Sequence, residues 1–227
     1  MKGFLCGQVL LAFIYVMSVS CLATAGDAPP DGFKEVAKRE ITSLNVFSIQ
    51  SIHDLGFESL SDIEKVGLGK GFEIFTINPD KLLDETSSQD FQSLVSTTNV
   101  WYFPLVVEGR SKSLLKLRFT EGKWFPSGMG SSKMAKEMAD FMEAWPASAG
   151  YHFRYIRVFQ ASSDFIELSQ NGKLLGLFSL FSLTRTPGRV AGAFTSSDLL
   201  NPKVVLLELR PSVRSNIGMY KHRNTSE

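Results

Sequence analysis

The sequence predicts an α+β fold in which antiparallel β-hairpins or meanders pack with separate amphipathic helices. Three observations carry that reading. Two pairs of β-rich apolar runs are each joined by a glycine-bearing turn, a long segment between them repeats its apolar residues at helical spacing, and the elements do not alternate strand, helix, strand as a parallel sheet requires.

Taken in order, Asp27–Asp31 with Pro29 and Pro30 reads as a linker, and Asp31 is placed to cap a helix over about 32–44 whose Phe33, Val36, Ala37 and Ile41 share a face. The stretch 47–65 is ambiguous, and Gly67–Gly71 reads as a flexible turn. Phe72–Ile77 is a short strand apolar on both faces, closed by Asn78 and Pro79. Asp80–Val95 suits one or two short helices.

Val100–Val107 and Ser113–Thr120 then form a hairpin about Glu108, Gly109 and Arg110, and a turn at Gly122 and Lys123 adds Trp124 and Phe125 as a third arm. Pro104 has no amide hydrogen, which places its arm at a sheet edge or at a bulge. Ser131–Trp145 is the clearest helix, with Met134, Ala135, Met138, Phe141, Met142 and Trp145 along one side, Ser131 or Ser132 as its cap and Pro146 as its stop. The methionine-rich stripe reads as core packing.

Tyr151–Gln160 alternates as a strand, and Asn171-Gly172 between Phe165–Ser169 and Lys173–Leu183 marks a second hairpin. Residues 185–193 read as a loop and Val204–Leu209 as a last strand. The segments VVEGRSKSLLKLRF and ELSQNGKLLGLFSL echo one another, which either a duplicated helix-plus-hairpin unit or ordinary turn chemistry produces. The domain plan is therefore one α+β domain over 26–210, divisible into halves near 31–145 and 146–210, followed by a flexible basic tail over 211–227.

Residues 1–25 have the order of a secretory signal: Lys2, an apolar run from Phe4 to Met17, then small residues. The run is shorter than the roughly 20 apolar residues of a spanning helix, so no stable transmembrane segment is expected. Ala23 and Ala25 place the cut before Gly26; acylation at Cys21 is the minor alternative, with Ser18 where a lipobox carries Leu. Cleavage removes Cys6 and Cys21, and with them any cysteine-dependent metal site, thiol catalysis or disulfide. The chain holds 24 basic and 23 acidic residues, so nothing in its charge calls for nucleic acid.

No constellation points to a cofactor or a closed metal site. His53, His152 and His222 are the only histidines; His53 beside Asp54 lacks a G-x-S-x-G elbow, and there is no H-E-x-x-H, EF-hand loop or helical histidine pair. Gly128, Gly130, Ser131 and Ser132 feed a helix N-terminus and are the weak anion-site candidates, without Walker spacing. Trp101, Tyr102, Phe103, Trp124, Phe125, Tyr151, Phe153 and Tyr155 offer either a core or a stacking platform, with Trp101 and Phe103 on one face and Tyr102 on the other. The expectation is an exported periplasmic or extracellular protein of bacterial type, a non-enzymatic binding module whose partner is another exported or envelope protein. The rival is a secreted hydrolase with dispersed catalytic residues.

Overall fold

Phe33–Ser43 forms helix α1, as its spacing predicts, in a computed structural model that describes residues 28–44, 48–84, 90–180 and 194–224, with side chains as far as 218. Ala23, Ala25, Gly26 and Cys21 lie outside the described residues, as does the loop expected over 185–193. Asp31 does not cap α1. The cap position is Gly32 at φ 88°, because the Trp124 indole Nε1 donates to the carbonyls of Pro30 (3.3 Å) and Asp31 (3.0 Å) and holds the approach to the helix in place.

The ambiguous stretch resolves into α2 (Ile49–Asp54), whose N-terminus is capped by Ser48, and α3 (Leu60–Glu64). Gly67–Leu68 is a short strand, β1, and Phe72–Ile77 is β2, buried on both faces as expected. Pro79–Leu83 (α4, capped by Asn78) and Phe91–Leu94 (α5) are the two short helices expected there.

Three strands follow as a meander: β3 (Val95–Val107), β4 (Arg110–Thr120) and β5 (Lys123–Gly130). Helix α6 (Ser132–Ala144) comes next, then β6 (Tyr151–Val158), β7 (Ser163–Gln170) and β8 (Lys173–Ser179). The turns Glu108-Gly109, Glu121-Gly122 and Asn171-Gly172 each put both residues at positive φ, the backbone that matches the twist of a two-residue hairpin and that makes glycine the natural second residue.

The strands form one mostly antiparallel sheet in the order β5-β4-β3-β2-β6-β7-β8, with β1 beside β3. The two meanders meet at its centre, where β2 and β6 run parallel over just two residue pairs, Ile74 with Tyr155 and Phe75 with Ile156. One face is covered by α6, whose Ala135, Met138 and Phe141 pack on Phe72, Ile74, Tyr102, Tyr155, Ile166, Leu168 and Phe178. Core packing is thus the role of the methionine stripe. The other face carries α1 to α3 over Trp101, Phe103, Leu105, Leu115 and Leu117, and the last helix over Phe75, Ile77, Ile156, Val158 and Leu177.

That last helix corrects two expectations. Val204–Leu209 is not a strand but part of α7 (Pro202–Asn224), and residues 211–218, expected as a flexible tail, continue the helix with Val213 fully buried. The apolar run was too short for its period to separate strand from helix; what decides is that Val205, Leu206, Leu209 and Val213 reach the sheet together at helical spacing. Pro211 removes one helical hydrogen bond, the one to Leu207, and both residues lie on the exposed side where water can replace it.

For Pro104 the edge alternative is corrected, while the bulge alternative comes within one residue. Pro104 lies in β3, inside the sheet and not at its edge, paired with Leu114. Its carbonyl accepts from the Gly69 amide at 2.7 Å, so its nitrogen faces the same side, where the neighbouring chain is interrupted between β1 and β2 and no ladder partner is lost. The register shift of this strand against β4 begins one residue later, between Leu105 and Val106.

Candidate functional site

Helix α6 lies on one face of the sheet with a cavity at each end. The larger, about 280 Å³, opens at its N-terminus and is lined by Ser131, Lys133, Met134, Glu137, Tyr155, Ser162, Asp164 and Leu180. It is built by strand alternation. Successive odd residues of β6 place Tyr151, Phe153, Tyr155 and Arg157 on the α6 face, and the antiparallel register sets Asp164 of β7 opposite Arg157, Nε to Oδ1 3.7 Å.

Tyr155 is 0% exposed, and its hydroxyl is paired with the Asp164 carboxyl. Asp164 Oδ1 is buried as well, with Arg157 on its other side. Burial, and after it the Asp164 carboxylate, push the phenol well above its ordinary range, so it stands as a neutral donor beside that carboxyl. Burial raises the Asp164 carboxyl against the opposing pull of Arg157, and burial raises that of Glu137 against Lys133, 3.9 Å away.

Ser131 takes the cap position of α6 in a left-handed conformation, φ 70°, and its side chain does not cap the helix. The Oγ instead accepts from Lys116 Nζ at 3.2 Å, leaving the first amides of α6 without that partner. Lys116 also lies over the Tyr102 ring, 5.4 Å from its centre, and burial, then the like charge of Arg157, lower its basicity. Among the described residues it has no ion-pair partner. Behind the helix start, Gly56 at φ +96° leaves no room for a side chain: a Cβ there would stand 2.4 Å from the Lys112 carbonyl and 2.5 Å from the Ser132 Cβ.

The smaller cavity, about 140 Å³, lies where β2 and β6 splay apart beyond their two paired residues. Lys70, Gly71, Phe72, Glu73, Phe75, Met142, Trp145, Ala147, Tyr151, His152 and Phe153 line it. Glu73 is 8% exposed, its carboxyl raised by burial, and it accepts from the Thr97 hydroxyl. The Trp145 indole nitrogen is buried without an acceptor. No serine, threonine or cysteine lines this cavity, so His152 and Glu73 are not gathered with a nucleophile. His53 Nε2 is bonded to the Glu58 carbonyl at 2.9 Å, and Asp54 accepts from Gln50, so that pair does not work together either. The side chain of His222 lies outside the described residues.

Of the four anion-site candidates only Ser131 lines either of these two cavities. Gly128 and Gly130 belong to β5, opposite Lys116 and Leu114, and Ser132 packs against Gly56. The aromatic residues do not form a platform: Trp101, Phe103 and Trp124 are core on the α1 face, Tyr102 and Tyr155 on the α6 face, Tyr151 and Phe153 edge the smaller cavity, and Phe125 alone of the eight is exposed, at 43%. Sequence reasoning missed Lys116, Arg157, Asp164, Glu137 and Lys133. The available signal was Arg157, a charge ending an otherwise aromatic face of β6. No group of acids, histidines or cysteines arranged to hold a metal occurs among the described residues, and none of their helices is long and apolar enough to cross a membrane.

Compared with protein families, with curated proteins and with solved structures, the chain matches none.

Proposed function

We propose that the chain is an exported, non-enzymatic binding protein of bacterial type, cut before Gly26, which holds a small polar ligand at the start of α6. One observation carries the reading: a cavity of about 280 Å³ at the start of α6 gathers Ser131, Lys133, Glu137, Ser162 and Asp164, polar groups from a helix and two strands, around the wholly buried Tyr155. The hydrolase reading has less support, because His53 and His152 stand apart from any serine–acid pair.

Two measurements test this. N-terminal sequencing of the protein secreted by an expressing bacterium should start at Gly26; a chain still carrying Met1, or retained in the cytosol, overturns the export. Thermal melting of residues 26–227 against a broad panel of small polar molecules should give selective stabilisation, with fluorogenic esters, glycosides and peptides left unchanged. Turnover of one such substrate, or a panel that never moves the melting point, refutes the binding role.

A further inference from the structure

We propose that the smaller cavity, at the C-terminal end of α6, binds a small organic ammonium ion, independently of the cavity at the start of the helix. Among the described residues two charged side chains are buried, Glu73 and Glu167. Arg154 holds Glu167 through both carboxylate oxygens, whereas no described cation forms an ion pair with Glu73. Neutral donors, the Thr97 hydroxyl and the Asn99 backbone amide, engage it instead. A buried carboxylate is ordinarily matched by a cation, and this one borders an open space that a cation can enter.

The surroundings favour the same charge. Phe72 and Phe153 meet edge to face at 6.0 Å, Trp145 and Tyr151 at 5.0 Å, and all four rings line the cavity. Aromatic faces attract a cation through the ring quadrupole, most strongly where water is excluded. The fifth ring, Phe75, already engages one: the Arg154 guanidinium stands over it, 5.4 Å from its centre. Helix α6 contributes its C-terminal end, whose dipole favours positive charge and whose last turn carries no basic residue.

Lys70 and His152 also line the cavity, but both are exposed to water, and neither acts on the Glu73 carboxyl, whose shift comes from burial against the Asn99 amide. They therefore leave its charge uncompensated. The space of about 140 Å³ is close to the roughly 150 Å³ that admits a benzene ring, so the ligand's apolar body is about one ring in size.

Benzylamine, benzyl alcohol and benzoate share that ring and differ in charge, and calorimetric titration of the purified protein at neutral pH compares them. Benzylamine should bind at least about tenfold more tightly than benzyl alcohol, the worth of one hydrogen bond to a charged group, and benzoate more weakly than either. Glu73→Gln keeps an acceptor for the Thr97 hydroxyl; it should bring benzylamine down to the level of benzyl alcohol, whose own binding stays native and shows that the variant is folded. Nuclear Overhauser contacts from the benzylamine ring to Trp145 and Tyr151 should place the probe in the native protein without any substitution. Equal binding of benzylamine and benzyl alcohol, tighter binding of benzoate, binding of none of the three, contacts that lie wholly outside this cavity, or a folded Glu73→Gln protein that keeps its preference for the amine overturns the assignment.

Discussion

Replacing Tyr155 with Phe removes one oxygen from beside the buried Asp164 carboxyl, and the structure gives the sign of the result. The ring keeps its neighbours, with Phe72 at 6.0 Å and Tyr102 at 6.2 Å between centres, so packing is conserved. The deleted atom borders a cavity that is already open, so little new void is created. What disappears is the hydrogen bond of the hydroxyl to the buried Asp164 carboxyl, worth about 1–3 kcal/mol with its acceptor left behind. The variant is therefore expected to be less stable by roughly 1–3 kcal/mol, which in a domain of this size lowers Tm by about 2–4 °C per kcal/mol. Urea unfolding followed by circular dichroism measures it, as a lower midpoint at unchanged m value. A change smaller than about 0.5 kcal/mol, or a gain, would refute the reasoning, because it would mean that the hydroxyl has no partner within the fold.

Other substitutions address the fold. In α7, Leu209→Ala should cost about 2–5 kcal/mol and Leu207→Ala less than about 0.5, because Leu209 is 5% and Leu207 61% exposed; equal costs in urea titrations would favour a strand, where the two share a face. Arg154 holds the buried carboxylate of Glu167, 4% exposed, through both oxygens, with Gln92 as a further donor. Arg154→Met should cost about 3–5 kcal/mol and Arg154→Met with Glu167→Leu much less, since the penalty lies in the stranded charge; a cost below about 1 kcal/mol for the single change contradicts this. Burial raises the Glu73 carboxyl, so its neutral form is favoured by folding and the associated stability is complete below the ordinary carboxylate range and lost as pH rises through the raised value. Stability measured from about pH 4 to about pH 7 should fall more steeply in the native protein than in Glu73→Gln, and parallel curves would remove Glu73 from the account.

Much of the fold was legible in residues close together along the chain. Gly109, Gly122 and Gly172 marked their hairpins because a two-residue turn needs a backbone that glycine adopts readily. Ala135, Met138 and Phe141 announced α6 because burying one stripe of a helix imposes its period on the residues. Legibility failed wherever a distant partner decides. Pro104 looked like an edge or bulge residue, and it sits inside the sheet, one residue before a bulge, because its nitrogen meets the gap between β1 and β2, two strands whose places the local sequence does not announce. Val204–Leu209 looked like a strand, and it is a helix because the sheet below offers a surface to Val205, Leu206, Leu209 and Val213 at once.

The candidate site divides in the same way. Ser131 could be picked out from its own neighbours, as a serine between a glycine turn and a helix. Lys116, Tyr155, Arg157 and Asp164 come from three strands and meet through register, so no spacing along the chain connects them to α6. The sequence by itself determined the α+β class, the hairpin turns and the faces of the long central helix, because dihedral preference and hydrophobic period are local properties. Tertiary structure alone decided the parallel junction of the two meanders, the helical end of the chain and the cavity at the start of α6, because which groups are buried together depends on what packs across from them.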